Sequence, residues 1–596
     1  MSRTGAGEPG RRPRFTSLWR EHRARWTLPL VIILIIGLVA VVDQVGSRRI
    51  SQVDAPSTTP LVAATGGTTT VELDRPWSGF NPNTPAGASS STPTLLSSVL
   101  PSAYIIDPKL IPVVNTDLLS SVEAISPSPL VIQYQINPKA VWSDGVPVSA
   151  DDFIYAWKSQ RGDGIDVNGQ ADQVASTLGY RDVESIVPSD HGKTVTVKFS
   201  TPYTDWRVMF DHMVPAHIAR QVGWNHGFDT FNPAVDLSAG PMKVQSVSRS
   251  GTAVLVRNPR WWGTPAVLNK VTVHVATQSG TWAASLAKGN DTAAQPDDFT
   301  LDSLNAVSSL PNTQSLVRPS LRLLDLEFNV TAPLMSRVTA RQAIAHAIDR
   351  TDLLNRTFGS IEPDLVVSQD HLATQSQTSY SASSAAGEYS VPDLASTDRL
   401  LKSIGYHQNA DGAYVDDSGT PLSLRMAVET GDPWILGVAA QIVAQLRQVG
   451  INVVTVPVNG AAGMAEAAAS NSYEMALVTR LASPFLTTTA AWYSDGQGAV
   501  SSVGTEDWSN FDDPQVDQLF TSAAQDLNPV TGGTVYAQID DQLWDQMVSL
   551  PLFAEPGFEA NGVQMANVEY NPSVDGILWN VALWTTLKPG PTDRQS

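Results

Sequence analysis

No cysteine occurs anywhere in the 596 residues. That excludes disulfides, thiolate nucleophiles, zinc-thiolate sites and a lipidated cysteine as membrane anchor. Catalytic signatures are missing too: there is no Gly-x-Ser-x-Gly elbow, no His-Glu-x-x-His pair, no Walker loop and no Gly-x-Gly-x-x-Gly turn. Without a nucleophile-base pattern an extracellular hydrolase has no support, and the chain is not expected to be an enzyme. The nine His are scattered, so a metal site would need distant residues to converge. Asp163, Asp166, Asn168 and Asp172 miss the spacing of an EF-hand calcium loop and read as a solvated surface loop. No cofactor is expected. Basic residues are few, 38 Lys and Arg against 58 Asp and Glu. Residues 1–42 hold seven Arg against Glu8 and Glu21, which leaves the remainder at about −25. An acidic body excludes nucleic-acid binding, which needs basic surface to displace counterions from phosphates.

What the chain does contain begins with a hydrophobic run at residues 28–42, preceded by Arg11, Arg12, Arg14, Arg20, Arg23 and Arg25. At 15 to 17 residues it lies at the lower limit for spanning a bilayer. The residues after it form a poor cleavage site, so an uncleaved signal anchor over 28–45 is expected, with residues 1–27 cytoplasmic and the body extracytoplasmic in the cell envelope. Residues 46–68, rich in Ser, Thr, Pro, Gly and Ala, read as a flexible linker.

Residues 131–160 are the most informative stretch. Ile132, Tyr134 and Ile136 alternate with Val131, Gln133 and Gln135 as in a strand, Asp144-Gly145 supplies a turn, and Ser149 stands three residues before Asp152 as a helix N-cap. Phe153, Ile154, Ala156 and Trp157 then mark one apolar helix face. The segment resembles the signature of the family 5 extracytoplasmic solute-binding proteins, the oligopeptide/dipeptide type that serve ABC importers. Further blocks follow in the order of that family. They are the Asn81-Pro82 loop, Val214-Pro215-Ala216-His217, Ala239-Gly240-Pro241, Arg257-Asn258 with Trp261-Trp262, a strand at 324–329 with a helical run behind it, Gly405-Tyr406, and Asn510 with Asp513-Pro514. Ala239 departs mildly from the pattern.

The resemblance implies an α/β protein of the type II periplasmic-binding-protein kind: two lobes with a hinge and an extra subdomain, preceded by one N-terminal transmembrane helix. Residues 69–92, 236–330 and 551–596 would form lobe I, 93–235 its extra subdomain, and 331–550 lobe II. It implies a monomer that closes on a peptide or other small solute and presents it to an ABC permease. Candidate ligand-binding residues are Trp77, Phe80, Trp434, Trp492 and Trp508, in loop-like settings where aromatic walls supply desolvated contact, and Arg480 as a carboxylate partner. Peptide-binding members carry an acid for the peptide ammonium after an aromatic in the region of residues 473–494; here none occurs between Glu474 and Asp495. That departure, with the absent lipidation cysteine, keeps open a second reading, an envelope-biogenesis or regulatory protein that reuses the fold.

Overall fold

The local logic of residues 130–160 is realised in the computed structural model. Leu130–Ile136 is a strand whose even-numbered residues are buried and whose odd-numbered residues are half-buried. It lies inside a four-stranded antiparallel sheet with Leu119–Pro127, Thr194–Phe199 and Val183–Ser189. Gly145 turns the chain with φ 99°, and Ser149 caps helix Ala150–Gln160 in a reciprocal capping box with Asp152. Asp152 does more than cap: only 2% exposed, its carboxylate accepts from Ser149 N at 2.9 Å, Ala216 N at 3.0 Å and Trp142 Nε1 at 3.4 Å. One side chain thus joins the starts of two helices to the turn. Asp152→Ala is expected to lower the unfolding free energy by about 2 kcal/mol, because it removes a cap and leaves buried donors unmatched. Urea denaturation checks this, and an unchanged midpoint contradicts it.

The structure describes residues 61–589 except 65, 277–279, 297–298, 432 and 494–506. The expected anchor at 28–45 and the segments 1–27 and 46–60 lie outside the described residues. Among those described, no helix is long and apolar enough to cross a membrane.

Two expected helices differ from their sequence reading. The stretch before Val214-Pro215 forms only a 3-10 turn at Trp206–Val208. Phe210 and His212 take positive φ (59° and 43°), and helix Ala216–Val222 begins at that motif with Pro215 at its N-cap. A proline there starts a helix because it brings no N–H to satisfy. The run behind residue 337 divides into Val338–His346 and Arg350–Phe358, since the Asp349 side chain accepts from Asp352 N and opens a second helix.

The main sheet has ten strands of mixed direction. Its order is Asn452–Val458, Ser423–Glu429, Met475–Leu481, Thr313–Phe328, Ser549–Gly562, Ala293–Ala294, Thr68–Leu73, Lys270–Val275, Ala253–Arg257 and Met242–Val247. Its two middle strands run antiparallel and are far longer than the average strand, at 16 and 14 residues. Their register runs from Thr313↔Gly562 to Pro319↔Pro556, breaks, and resumes at Leu323↔Ala554. Proline has no ladder donor, so two prolines facing each other interrupt the pairing at this point. Along the long strand Thr313–Phe328, Met475–Leu481 pairs with residues 322–328, beyond the break, whereas Ala293–Ala294 pairs with Asn561 and Ala560 of the other long strand before it. The two ends of the sheet are therefore joined through the interrupted strands, and separate apolar clusters cover them, one including Val71 and Val273, the other Leu326, Leu424 and Ile442.

Candidate functional site

Beside the break lies a cavity of about 650 Å³, a size that suits a small organic ligand. Ser320, Leu321, Arg322, Glu555, Pro556 and Gly557 from the interrupted strands form part of its wall. One end of the sheet contributes Leu73, Asp74 and Arg75, the residues that close strand Thr68–Leu73 and follow it, together with Ser89, Ser90, Ser91 and Tyr570. The other end contributes Glu429 and Gly431, Thr479 and Leu481, and Trp508.

The break is held by polar contacts rather than left loose. Ser320 Oγ donates to Glu555 O at 2.7 Å and accepts from Arg322 N at 3.0 Å, which replaces the ladder bonds lost to the prolines. Arg322 Nε donates to Glu555 Oε2 at 2.5 Å, with the glutamate side chain only 1% exposed. Thr374 Oγ1 and Ser376 Oγ both donate to Ser320 O at 3.1 Å. Gly557 admits the Tyr570 hydroxyl against the strand: a Cβ there would sit 1.9 Å from Tyr570 Oη. The wall carries carboxylates (Asp74, Glu429, Glu555), guanidiniums (Arg75, Arg322) and many hydroxyls, with few aromatics.

Of the six residues selected from sequence, Trp508 lines this cavity, half-buried against the small cluster of Ala427, Val458 and Met464. The other five are not in its wall. Trp77 is half-buried against the larger core, and Phe80 is 4% exposed with its ring 5.7 Å from Phe231. Trp434 packs 5.4 Å from Phe358. Trp492 is buried, with the Arg480 guanidinium 4.9 Å from its ring centroid.

Arg480 itself is 1% exposed. It donates through Nη2 to Glu327 Oε1, has Nε 3.5 Å from Asp325 Oδ2, and lies 4.9 Å from the ring of Tyr493. Its strand neighbours Thr479 and Leu481 face the cavity, but the guanidinium is committed to two protein carboxylates in the interior. Burial pushes the Glu327 carboxyl up to about 8 and those of Asp325 and Asp507 to about 6, against the pull of Arg480. Sequence reasoning missed Asp74, Arg75, Arg322, Glu429 and Glu555. Glu429 lies five residues before Trp434, at the end of strand Ser423–Glu429.

The family model described as bacterial extracellular solute-binding proteins, family 5 Middle, matches residues 113–502. The chain belongs to this family. As a family 5 protein it is the substrate-binding protein of an ABC importer, and the alternative of an envelope-biogenesis protein that has lost transport is not favoured. Among its relatives, the oligopeptide-binding protein OppA of Mycobacterium tuberculosis (strain ATCC 25618 / H37Rv) is 27% identical over 491 residues, covering 81% of this chain and 78% of that protein. An uncharacterized lipoprotein of the same organism is 24% identical over 91% of this chain and 98% of its own length. The periplasmic EDTA-binding protein EppA has the same fold with a TM-score of 0.80, at 24% identity over 89% of this chain and 98% of that one. AppA of Bacillus subtilis, in complex with a nonapeptide, gives 0.70 at 17% identity over 88% and 100%. The fold is thus that of the type II periplasmic binding proteins, built on a mixed α/β sheet, and the family is extracytoplasmic.

Proposed function

We propose that this family 5 protein captures a short peptide or peptide-like zwitterion in the cavity beside the Pro319/Pro556 break and passes it unchanged to a membrane permease. The observation that carries the reading is the wall itself, in which both signs of charge occur: Asp74 and Arg75 at one end of the sheet, Arg322 and Glu555 on the interrupted strands, and Glu429 at the other end. A zwitterion needs both signs, because a buried ammonium or carboxylate left without a counter-charge is costly. The acid missing between Glu474 and Asp495 is then supplied from elsewhere in the wall, by Asp74 or Glu429. In this reading the interrupted strands are the hinge between two lobes, residues 69–92, 236–330 and 551–596 against 331–550, with 93–235 as an extra subdomain. Closure follows from contacts that the ligand makes with both sides at once. Residues 28–45 hold the monomer to the membrane as a single span, since without a cysteine the chain offers no lipidation site. No covalent step is involved.

A thermal-shift series tests this. Free-ended tri- to pentapeptides are expected to raise the melting temperature, since saturation to a hundred times Kd adds about 2.7 kcal/mol to the native state. Acetylating the amino end or amidating the carboxyl end should each cost at least about tenfold in affinity, and Trp508→Ala about the same. Equal binding of free and blocked peptides, or a response confined to polycarboxylate chelates, would overturn the assignment.

A further inference from the structure

Away from the cavity wall, three side chains that could ligate a metal come together from two neighbouring parallel strands and the residues leading into a third. Lys270–Val275 pairs in parallel with Thr68–Leu73 and sets His274 directly opposite Glu72. Ala293–Ala294 pairs with the same strand from its other side, and the side chain of Asp291, just before it, lies within reach of the other two. One possible ligand atom from each of the three lies within 4.8 Å of the others. Both carboxylates are deeply buried, Glu72 at 4% and Asp291 at 3% exposure, whereas His274 is 29% exposed at the side chain and opens the group to solvent.

The carboxylates are oriented as metal ligands are. Thr281 Oγ1 donates to Glu72 Oε1 at 2.7 Å, and Ser285 Oγ donates to Asp291 Oδ2. Both hydroxyls come from helix Thr281–Lys288. Each fixes one oxygen of its carboxylate and leaves the other toward the imidazole: Asp291 Oδ1 is 2.7 Å and Glu72 Oε2 4.0 Å from His274 Nε2. Two buried carboxylates converge here on a single imidazole, a donor set that a divalent cation would fill. Ligands around tetrahedral zinc stand about 3.3 Å apart, between the two separations found here. A small opening of the His274–Asp291 contact would admit the ion, with hydroxyls already in place to orient both carboxylates.

We propose that Glu72, His274 and Asp291 bind one divalent cation of the zinc type, through two carboxylate oxygens and the His274 Nε2, with solvent completing the shell. Imidazole selects for zinc, cobalt and nickel over calcium or magnesium. The ion ties three strands together just before the chain passes into the cavity wall at Leu73 and Asp74, and its binding does not depend on which solute the cavity takes.

The test uses the full chain, stripped on a chelating resin rather than with a soluble chelate, because an EDTA-binding relative shares the fold. Zn²⁺ alone is titrated by calorimetry, and Co²⁺ reports geometry through its visible spectrum. The expected result is a single saturable equivalent, a melting temperature raised by Zn²⁺ but not by Mg²⁺, and a tetrahedral cobalt spectrum. His274→Gln and Asp291→Asn should each weaken binding at least about tenfold, while Trp508→Ala leaves it unchanged. A plain His274–Asp291 ion pair predicts no zinc response in the unaltered protein, and an adventitious surface site predicts binding that the two variants leave intact; either result overturns the proposal. Should a variant fail to fold, the unaltered protein still decides, through stoichiometry and the cobalt spectrum.

Discussion

Arg480→Met is expected to lower the unfolding free energy by about 3 to 5 kcal/mol at neutral pH. Arg480, Asp325 and Glu327 are each no more than 1% exposed at the side chain, so the guanidinium is the charge that lets Asp325 stay ionised in the interior and holds the neighbouring Glu327 carboxyl down against burial. Once it is gone, Asp325 must either remain ionised without a partner or take up a proton beside the already protonated Glu327, and both cost folding free energy. The stacking of the guanidinium on Trp492 and Tyr493 disappears as well, although the methionine recovers part of that contact. The penalty should grow with pH, because alkaline solution opposes the protonation that would relieve it. Replacing the acids too, as Asp325→Leu and Glu327→Leu with Arg480→Met, should restore much of the loss, since well-packed apolar residues often match or exceed a buried ionic group. Chemical denaturation of the single and triple variants measures both. A single variant within about 0.5 kcal/mol of the parent would show that the cluster carries no such burden.

The parts of the fold legible in the sequence are those fixed by neighbours in the chain. Ser149 and Asp152 cap a helix three residues apart, Gly145 supplies the positive φ of its turn, and Gly405 and Gly450, which follow helices Leu394–Ser403 and Pro433–Gln448, take φ 93° and 89°. The break in the long strands was not legible. Pro319 and Pro556 face each other across 237 residues of chain, and neither proline alone says which strand it will oppose. The cavity was harder still. Aromatic residues in loop-like settings were chosen for their contact area, but the same area makes them cover cores, which is where Phe80 and Trp492 sit. The actual wall is built of serines, glycines and short charged residues such as Asp74 and Glu429, which in sequence look like any solvated loop. A stronger signal for Arg480 was available. The strand at 324–329 is apolar at Leu324, Leu326 and Phe328, yet it carries Asp325 and Glu327 on its other face, and two acids inside a buried strand call for a cation nearby.

Stability should fall as the solution is made more alkaline between about pH 5 and about pH 8. The direction follows from buried carboxyls whose folded values lie above their ordinary ones: Glu327 at about 8, Asp370, Asp236 and Glu559 at about 7, and Asp325 and Asp507 at about 6. For each, loss of water on burial is the largest cause, and for Asp370 the neighbouring Asp540 adds to it. The folded state therefore holds more protons than the unfolded chain across this window, so raising the pH draws them off at the expense of the fold. His346, which burial holds below its usual value, works in the opposite sense but is a single group. With about 1.4 kcal/mol per unit of displacement, several such carboxyls together produce a fall of several kcal/mol. Glu327 is the point at which to intervene. It faces Arg480, Asp325, Asp507 and Tyr473, and three of those four hinder its ionisation or lose by it. Glu327→Gln keeps the shape and removes the titration, so denaturation curves for the variant should match the parent near pH 5 and lie above it near pH 8.5, with a shallower slope between. A parent protein whose stability is flat or rises over that range, or a variant that keeps the full slope, would place these protons elsewhere.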